Sequence, residues 1–377
     1  MASYDNLPFD QNRENYLNTI TKRFDINVGF SCNMRCTFCY YLTEIERGTT
    51  KDISTTEIMR RLRVGREWNK TAVDFTGGEP TLRKDLPDLI RYARRIGYKT
   101  VCIITNGWKI GSVDNYIKKL SNAGLNDILI SVHGASLSTH DGLTGRNGAF
   151  IKTMKAAEKV QATKTINLRF NYVVCQENFN EVEQAADKMA SFNPTALNFI
   201  LFQPTRTASH APNHIRFKNY REAVVPIKKA INTHKKTIPH INVRDIPYCL
   251  LKGYESHVKP LYQLQYEKVE WDYCLDVLFK KKKPYLIASV VFGSILSLSN
   301  PYFLRCDWNN KFHMALQKAR IFTMRKKAKK CKKCSVNHIC DGLVKDYFNK
   351  NGADELIPYS GKRITNPTYF MDRDEIE

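Results

Sequence analysis

Short apolar runs alternate with amphipathic helical stretches along the first half of the chain, and this alternation restricts the fold more than any other feature. It is typical of a parallel sheet whose strands are joined by crossover helices. Six strands are predicted, at residues 24–30, 72–75, 100–104, 127–132, 166–174 and 197–202. Helices are predicted between them at 55–68, 86–96, 113–122, 149–162 and 180–190. The pattern predicts an α/β fold, a partial (β/α)6 TIM-like barrel that is open rather than a closed eight.

The alternation stops near residue 207, where helices and loops rich in lysine and aromatic residues replace it. We therefore predict three parts: an N-terminal extension at 1–23, a core domain at 24–207 and an α-rich, cysteine-containing C-terminal domain at 208–377. In barrel folds of this kind, functional residues lie at the C-terminal ends of the strands. The motifs described below follow predicted strands directly, so we expect them to meet at one edge of the sheet.

The chain of 377 residues carries a formal net charge of +22. Such a charge favours an anionic partner such as nucleic acid, a phosphorylated substrate or an acidic protein. Much of it comes from two local runs, Lys280 to Lys283 and the basic residues between 325 and 333. Because no aromatic-interleaved basic repeat accompanies them, solvated lysine-rich faces are the favoured interpretation and a nucleic-acid partner is the less favoured one.

The sequence contains no recognisable secretory signal or membrane span. Residues 1–23 are polar and contain no secretory signal, which predicts a cytoplasmic protein. The apolar stretch 285–304 is interrupted by glycine, asparagine and proline, so it is too short for a membrane span. It is interpreted as a buried helix or strand pair, with membrane contact as the minor alternative. Eleven cysteines in such a chain indicate reduced thiols or metal ligands rather than disulfides.

Three of these cysteines, Cys32, Cys36 and Cys39, follow the first predicted strand with the spacing C-x3-C-x2-C. Three thiolates on one short loop can hold three irons of a cubane 4Fe-4S cluster. No fourth cysteine is nearby, so one iron keeps an open position, which is typical of a catalytic metal site. A zinc site is the alternative, and it would need a fourth cysteine or histidine from elsewhere.

Polar and glycine-rich segments follow the next strands. Gly77, Gly78 and Glu79 come after the second strand, where glycines permit close approach of a ligand and the carboxylate can accept from an ammonium group. Thr105 and Asn106 follow the third strand, and Ser131 ends the fourth. Arg169 and Asn171 lie two residues apart on the fifth strand and therefore share a face.

Together these segments resemble the signature of the radical S-adenosylmethionine (SAM) superfamily over residues 24–204. The resemblance implies that the open iron chelates the amino and carboxylate groups of SAM. SAM is then cleaved to a 5′-deoxyadenosyl radical that abstracts a hydrogen atom from the substrate. It also implies a flavodoxin- or ferredoxin-type electron donor. The SAM contacts that it implies are Phe38 beside the adenine, and Gly77, Gly78, Glu79, Thr105, Asn106, Ser131, Arg169 and Asn171.

A second group of cysteines, Cys331, Cys334 and Cys340, has the spacing C-x2-C-x5-C. It is similar to part of the SPASM/Twitch regions that hold auxiliary clusters in radical SAM enzymes. No cysteine follows Cys340, so one auxiliary 4Fe-4S cluster is expected rather than two. Cys249 is the first choice for the fourth ligand. The alternatives are Cys274, Cys306 and His338, and a structural zinc knuckle with the same ligands remains open.

The remaining cysteines have two interpretations. Cys102 and Cys175 lie in or at the end of strands, where small buried hydrophobic residues are expected. A thiol near the radical donates a hydrogen atom in an epimerase, and Cys175, Cys274 and Cys306 are the candidates for that role.

The favoured function is a radical SAM oxidoreductase or epimerase acting on a small molecule, such as a sugar or nucleoside, or on a peptide side chain. A ribosomal-peptide maturase is an alternative, although only a short segment precedes the first strand, whereas many such enzymes carry a leader-binding domain. An RNA-modifying enzyme is a second alternative, suggested by the net charge of +22. A non-catalytic iron–sulfur or zinc scaffold is the third.

Overall fold

A computed structural model describes residues 23–39, 41–42, 51–67, 69–202, 219–260, 266–267, 291–295, 298, 315, 321–322, 324–365 and 369–370. Nine strands form one sheet in the order β8-β7-β6-β5-β4-β3-β2-β1-β9, and all neighbours are parallel. They are β1 (Arg23–Asn27), β2 (Ala72–Thr76), β3 (Thr100–Thr105), β4 (Asp127–Ser131), β5 (Asn167–Val174), β6 (Ala196–Leu201), β7 (His240–Arg244), β8 (Val258–Lys259) and β9 (Tyr266–Glu267). The sheet has two edges and curls into a partial barrel, as the sequence predicts.

Helices on the outer side of the sheet connect its strands. They are α1 (Thr55–Glu67), α2 (Leu86–Arg95), α3 (Trp108–Ser112), α4 (Tyr116–Asn122), α5 (Leu137–Thr144), α6 (Ala149–Thr163), α7 (Val182–Ala190) and α8 (Tyr220–His234), and a further helix, α9 (Lys345–Asn351), lies in the C-terminal part. Local signals set their ends. The Ser54 hydroxyl accepts from the backbone N–H of Glu57 at the start of α1. Gly97 takes a φ of +98° directly after α2, a conformation that favours glycine.

The two faces of the sheet differ in chemistry. Every second residue of β5 is buried, and these residues pack against the helices together with side chains such as Phe24, Ile26 and Phe75. Burial of each such side chain contributes about 1.5–3 kcal/mol to folding. The alternate residues of β1 to β7 face the inner side of the barrel and are largely polar, with Asp74, Asp127 and Asn198 among them. Hydrophobic burial therefore fixes the register and leaves the inner face for polar groups.

The sheet continues beyond the predicted boundary at residue 207. β7 pairs with β6 from Ala196↔His240 to Ile200↔Arg244, and β8 then pairs with β7. The sequence analysis missed β7 because its alternate residues are His240, Asn242 and Arg244, which resemble a polar loop. They face the inner side of the barrel, where polar residues are the rule.

The C-terminal part packs against the end of the barrel. It contains a two-stranded antiparallel sheet, β10 (Arg325–Lys326) with β11 (Leu343–Val344), followed by α9. The buried Arg325 guanidinium donates to the carboxylate of Asp245 at 2.6 Å, just after β7. The rings of Tyr220 and Tyr347 stack with centroids 4.0 Å apart. Charged and aromatic contacts thus join this part to the barrel.

The apolar stretch 285–304 differs from its prediction. Residues 291–295 are helical, as one of the two interpretations has it, but Val291, Phe292, Ile295 and Leu298 are exposed rather than buried. Among the residues described, no helix has both the length and the apolar character needed to cross a bilayer.

Candidate functional site

The loop that carries Cys32, Cys36 and Cys39 leaves β1 at the carboxyl edge of the sheet and is fixed from two sides. On one side, the Asp52 carboxylate accepts from the backbone N–H groups of Phe30 and Ser31 at 2.8 and 3.0 Å. On the other, backbone N–H groups of Arg35 and Thr37 donate to carbonyls at the end of α5, at 2.9 and 3.0 Å. Protein contacts alone therefore hold the loop in place.

These three cysteines, called the first cysteine site below, form no disulfide and are partly buried. Burial raises the pKa of Cys32 to about 11 and that of Cys36 well above its ordinary value. The thiols of Cys32 and Cys36 are therefore protonated until a metal displaces the protons, since only thiolates bind metals well.

Gly77 and Gly78 bring the loop after β2 against this cysteine loop. Gly78 donates its N–H to the carbonyl of Gly29 at 2.8 Å, and Glu79 donates to the carbonyl of Ser31 at 2.8 Å. A Cβ on Gly78 would lie 2.3 Å from the Ser31 oxygen, and Gly77 has a φ of +131°. The glycines thus permit close approach of two protein loops. Whether the same backbone also contacts SAM stays a prediction.

The Glu79 carboxylate is buried and bound by its own neighbours. One oxygen accepts from the backbone N–H and the hydroxyl of Thr81 at 3.0 and 2.6 Å and from the Thr105 hydroxyl at 2.7 Å. The other accepts from the backbone N–H of Asn106 at 2.8 Å. Burial raises the pKa of Glu79 above its ordinary value, while these donors act in the opposite direction. The carboxylate therefore ties the loop after β2 to the loop after β3.

Asn106 extends this connection to the cysteines. Its amide donates to the side-chain oxygen of Asn33, next to Cys32, at 2.8 Å. The Arg146 guanidinium, stacked on the Trp108 ring, donates to the backbone oxygen of Asn33 at 2.6 Å. Three loops from β1, β2 and β3 are thereby connected at the carboxyl edge. Sequence analysis singled out Asn106 but missed Asn33, Asp52 and Arg146, because their partners are distant along the chain.

Phe38 packs against a buried histidine. The rings of Phe38 and His133 meet edge to face with centroids 4.6 Å apart. His133 accepts at Nδ1 from the backbone N–H of Val173 at 3.3 Å, and burial lowers its pKa well below the ordinary value. His133 is thus a neutral rim residue that supports the predicted adenine-facing phenylalanine.

A hydrogen-bonded row of amides crosses the inner face beside these loops. The side chain of Asn242 donates to Asn198 at 2.8 Å, and Asn198 donates to Asn171 at 2.9 Å. The three residues are register partners on β7, β6 and β5, and Ser131 is the partner of Asn171 on β4. This amide ladder (Asn171, Asn198, Asn242) places Asn171 and Ser131 on the inner face. Sequence analysis had singled out these two but missed Asn198 and Asn242.

Arg169 also faces the inner side, but its guanidinium is directed toward the amino end of the sheet. It pairs with Asp127, the first residue of β4, at 2.7 Å and lies 3.9 Å from Asp74. Arg23 pairs with the same two carboxylates at 2.8 and 2.6 Å. Two buried carboxylates attract the guanidinium more strongly than the open edge does. The predicted contact of Arg169 with SAM therefore does not agree with this geometry.

Cys102 also differs from its prediction, because it lies beside the same buried charges. It is fully buried but lies on the inner face, where its sulfur accepts from Arg169 at 3.1 Å. With Asp74 and Asp127 it forms a group whose ligand atoms lie within 4.8 Å of one another. The guanidiniums of Arg23 and Arg169 already balance the two carboxylates, so we interpret these five residues as an ion-pair cluster rather than a metal site.

The second group of cysteines lies around one cavity. Cys249, Cys331, Cys334 and Cys340 all line it, together with Lys327, and the cavity is partly open to solvent. These four are called the second cysteine site below. The fold brings together the three clustered cysteines and the first choice among the predicted fourth ligands. His338 does not line the cavity.

Backbone donors surround the sulfurs of this second site. The N–H of Tyr359 donates to Cys334 at 3.3 Å, and the N–H groups of Ile357 and Gly342 bond to Cys249 and Cys340. Burial nevertheless raises the pKa of Cys249 to about 12. Such N–H to sulfur bonds are among the contacts that tune iron–sulfur clusters.

The predicted hydrogen donors have different outcomes. Cys175 is fully buried in the hydrophobic core behind the sheet, and burial raises its pKa above the ordinary value. It therefore matches the expectation of a small buried hydrophobic residue, and the geometry does not support a role beside a substrate. Cys274 and Cys306 lie outside the described residues.

The chain is similar to known proteins in its sequence and in its fold. The model of the radical SAM superfamily matches residues 26–189. A protein of Saccharolobus solfataricus named probable GTP 3′,8-cyclase is 29% identical over 209 residues, covering 55% of this chain and 66% of its own length. One of the same name from Sulfolobus acidocaldarius is 30% identical over 186 residues, covering 49% and 58%. The chain thus spans less than two thirds of these curated relatives.

Among solved structures, the FeFe-hydrogenase maturase HydG from Carboxydothermus hydrogenoformans matches with a TM-score of 0.51 and 12% identity. The match covers 66% of this chain and 60% of that one, and at this identity it shows the fold alone. The family model, the strand-end loops and the fold agree. Residues 26–189 therefore form a radical SAM domain, and the resemblance to that superfamily stated from the sequence is confirmed for this part of the chain. The similarity of the second cysteine group to SPASM/Twitch regions stays a prediction.

Proposed function

We propose that this chain is a radical SAM enzyme that holds its catalytic 4Fe-4S cluster at Cys32, Cys36 and Cys39. The observation that carries the proposal is the connection of the cysteine loop to Glu79 and Asn106 at one edge of the sheet. When bound, the cluster and SAM supply reductive cleavage to a 5′-deoxyadenosyl radical that abstracts a hydrogen atom from the substrate.

The chain's own residues have positioning and binding roles in this proposal. The backbone of Gly77 and Gly78 lies beside the cysteine loop, where it can accept from the ammonium group of SAM. Glu79 keeps that backbone in place through its bonds to Thr105 and Asn106. Because preorganised groups need no rearrangement when the ligand arrives, these contacts favour SAM binding.

Ser131, Asn171 and Phe38 are the remaining SAM contacts that we propose. Ser131 and Asn171 lie side by side on the inner face, and the amide of Asn171 is oriented by Asn198. Phe38 is supported by His133. Polar groups of this kind can bind the ribose or the carboxylate of SAM, while an aromatic ring packs on its adenine.

We further propose that the second cysteine site holds one auxiliary 4Fe-4S cluster through Cys249, Cys331, Cys334 and Cys340. Four cysteines around one cavity match the ligand number of a 4Fe-4S cluster, and backbone N–H groups directed at the sulfurs support thiolate ligands. A structural zinc ion is the alternative that the experiment below distinguishes.

For the substrate, we propose a small molecule that carries an anionic group. Arg244 Nε, on the inner face of β7, is buried without a hydrogen-bond partner in the described part of the chain. A guanidinium with an unused donor favours phosphate or carboxylate. GTP is the first compound to test, because the relatives described above are named probable GTP 3′,8-cyclases.

Metal analysis of anaerobically purified protein tests the two clusters. We expect about eight irons per chain in the wild type and about four in the Cys32/Cys36/Cys39 triple alanine variant. Zinc without iron in a reconstituted sample would contradict both proposals. A separate assay measures 5′-deoxyadenosine with and without GTP. Formation that rises with GTP supports the substrate proposal, and a rate that GTP leaves unchanged contradicts it without affecting the cluster assignment.

A further inference from the structure

Exposed basic residues are concentrated around the second cysteine site. Between residues 324 and 365, all of which the structure describes, nine basic side chains are exposed but only two acidic ones, Asp346 and Asp354. The nine include four lysines of one short turn, called the lysine turn below: Lys329, Lys330, Lys332 and Lys333. Cys331, a ligand of the cluster proposed above, lies in the middle of this turn.

Backbone hydrogen bonds hold the lysine turn in place. The N–H of Cys331 donates to the carbonyl of Ala328 at 2.9 Å, and the N–H of Cys334 donates to that of Cys331 at 3.1 Å. In the described part of the chain none of the four lysines forms an ion pair, and Lys330 donates to the backbone oxygen of Asp354 at 3.3 Å. Four like charges on one turn repel one another, so an anionic partner would stabilise this surface.

The second cysteine site is close to these charges. Each lysine of the lysine turn is at most two positions from Cys331 or Cys334, so about 7 Å or less separates their Cα atoms. The cavity that the cysteines line is partly open to solvent, and Lys327 lines it as well. Positive charge beside a cluster favours its reduced, more negative state. A protein that docks on these lysines would therefore meet a cluster site that lies near the surface and is readily reduced.

We propose that the lysine turn is the docking surface for an acidic one-electron carrier of the flavodoxin type, which reduces the cluster of the second cysteine site. The inference rests on the auxiliary cluster proposed above. One electron leaves the reduced flavin of the carrier and enters the oxidised 4Fe-4S cluster, and no covalent bond forms or breaks. Complementary charge steers the encounter of the two proteins and orients the carrier toward the cluster.

The setting of the lysine turn favours a redox protein over other anionic partners. No large apolar side chain between residues 325 and 350 is exposed, whereas proteins that lie on a bilayer use apolar side chains as well as charge. The lysine turn contains no aromatic residue, whereas proteins that bind single-stranded nucleic acid stack its bases on aromatic rings. A surface that carries a cluster ligand is the place where a redox partner has to dock.

Binding of flavodoxin to the anaerobically purified full chain tests the docking surface. We expect a dissociation constant that rises with salt, because salt screens exposed charges. Binding should weaken about tenfold or more in a variant that combines Lys329→Gln, Lys330→Gln, Lys332→Gln and Lys333→Gln. The matched control combines four substitutions at exposed positions on α4, on α6 and directly after α6: Lys118→Gln, Lys119→Gln, Lys155→Gln and Lys164→Gln. It loses the same charge and should bind as the wild type does.

The rate of cluster reduction is the second measurement. It is made in the Cys32/Cys36/Cys39 triple alanine background, where we expect about four irons per chain, all at the second cysteine site. Loss of the iron–sulfur absorbance on mixing with reduced flavodoxin should be about tenfold slower when the four lysines of the lysine turn are replaced. Reduced methyl viologen, a small one-electron reductant that needs no docking surface, should reduce both proteins at the same rate.

Several outcomes would overturn the inference. Equal losses in the lysine-turn variant and its control would indicate a general effect of net charge. Binding of single-stranded RNA or of anionic vesicles through the same lysines, without binding of flavodoxin, would assign the surface to another partner. Iron at the second site whose reduction by flavodoxin does not depend on the lysines would contradict the docking surface alone. A triple alanine variant without iron would contradict the auxiliary cluster itself, and the docking surface would then have no electron acceptor.

Discussion

The two cysteine sites use the same ligand type in different settings. At the first, three cysteines lie on one loop at the open edge of the sheet, next to a polar inner face. At the second, four cysteines from two distant segments surround a cavity within the C-terminal part. A cluster with three protein ligands keeps an iron available for a substrate or cofactor, whereas a cluster with four does not. On the assignment that we propose, ligand number, set by the fold, would separate a catalytic cluster from an electron-transfer or structural one.

The residues around the two cysteine sites also differ in the way expected for a ligand-binding site and a closed one. The first site is connected to polar groups that are oriented by neighbours, such as Glu79, Asn106 and Asn171. The second is surrounded by backbone N–H donors and has Lys327 close by. Oriented side chains suit ligand binding, while backbone donors suit a cluster that stays in place. Four predictions test this contrast. They are ordered by their expected effect on the rate of SAM cleavage measured without substrate.

The largest effect is expected for Cys36→Ala. Removal of one of three cluster ligands should abolish SAM cleavage, because the remaining two thiolates cannot hold the cubane in an active form. The measurement is 5′-deoxyadenosine formed under reducing conditions. Cys175→Ala is the matched control, since this cysteine lies in the core away from both sites. Wild-type cleavage by Cys36→Ala would remove the first site from the mechanism.

The next largest effect is expected for Glu79→Gln. An amide cannot accept from all four present donors, so the loops after β2 and β3 lose their connection. SAM cleavage should fall about 10- to 100-fold, the range typical of groups that orient metal sites. Asp88→Asn, on the exposed side of α2, should leave the rate unchanged. If both variants behave alike, Glu79 does not position the site.

A smaller effect on cleavage is expected for Cys334→Ala. Iron content should fall from about eight to about four per chain, while SAM cleavage without substrate continues. Turnover of a substrate should be lost where the auxiliary cluster accepts or delivers an electron. Metal analysis of the variant is the check, and His338→Ala is the control because this residue does not line the cavity. Unchanged iron content would indicate that the second site holds zinc or no metal.

The smallest effect on SAM cleavage is expected for Arg169→Met, which should instead lower stability. The variant leaves Asp127 and Asp74 with one guanidinium instead of two. Breaking a buried ion pair costs about 3–5 kcal/mol in the free energy of unfolding. Denaturant titration measures this, and the exposed pair broken by Arg60→Met should cost less than about 1 kcal/mol. If the Arg169→Met variant has the stability of the wild type but binds SAM more weakly, Arg169 contacts SAM and the ion-pair interpretation is wrong.

Much of this architecture follows from local patterns in the sequence. The first six strands and the five predicted helices are found within a few residues of their predicted positions, whereas the short helices α3 and α5 were not predicted. Signals such as Ser54 and Gly97 act on their immediate neighbours, so sequence is sufficient to read them. The C-x3-C-x2-C loop is equally local, because its ligands lie within eight residues. The sequence by itself thus determined the class of fold and the family of the domain.

Contacts between distant residues were decided only by the tertiary structure. Arg169 was a candidate for SAM by its position on β5, but two aspartates from other strands bind it at the opposite end. Cys249 joins cysteines more than 80 positions away around one cavity. Asn198 and Asn242 complete the amide ladder only because β6 and β7 are neighbours in register. Pairing across the sheet depends on which elements pack together, and the alternation of residues along a strand specifies its face but not the partners that it meets.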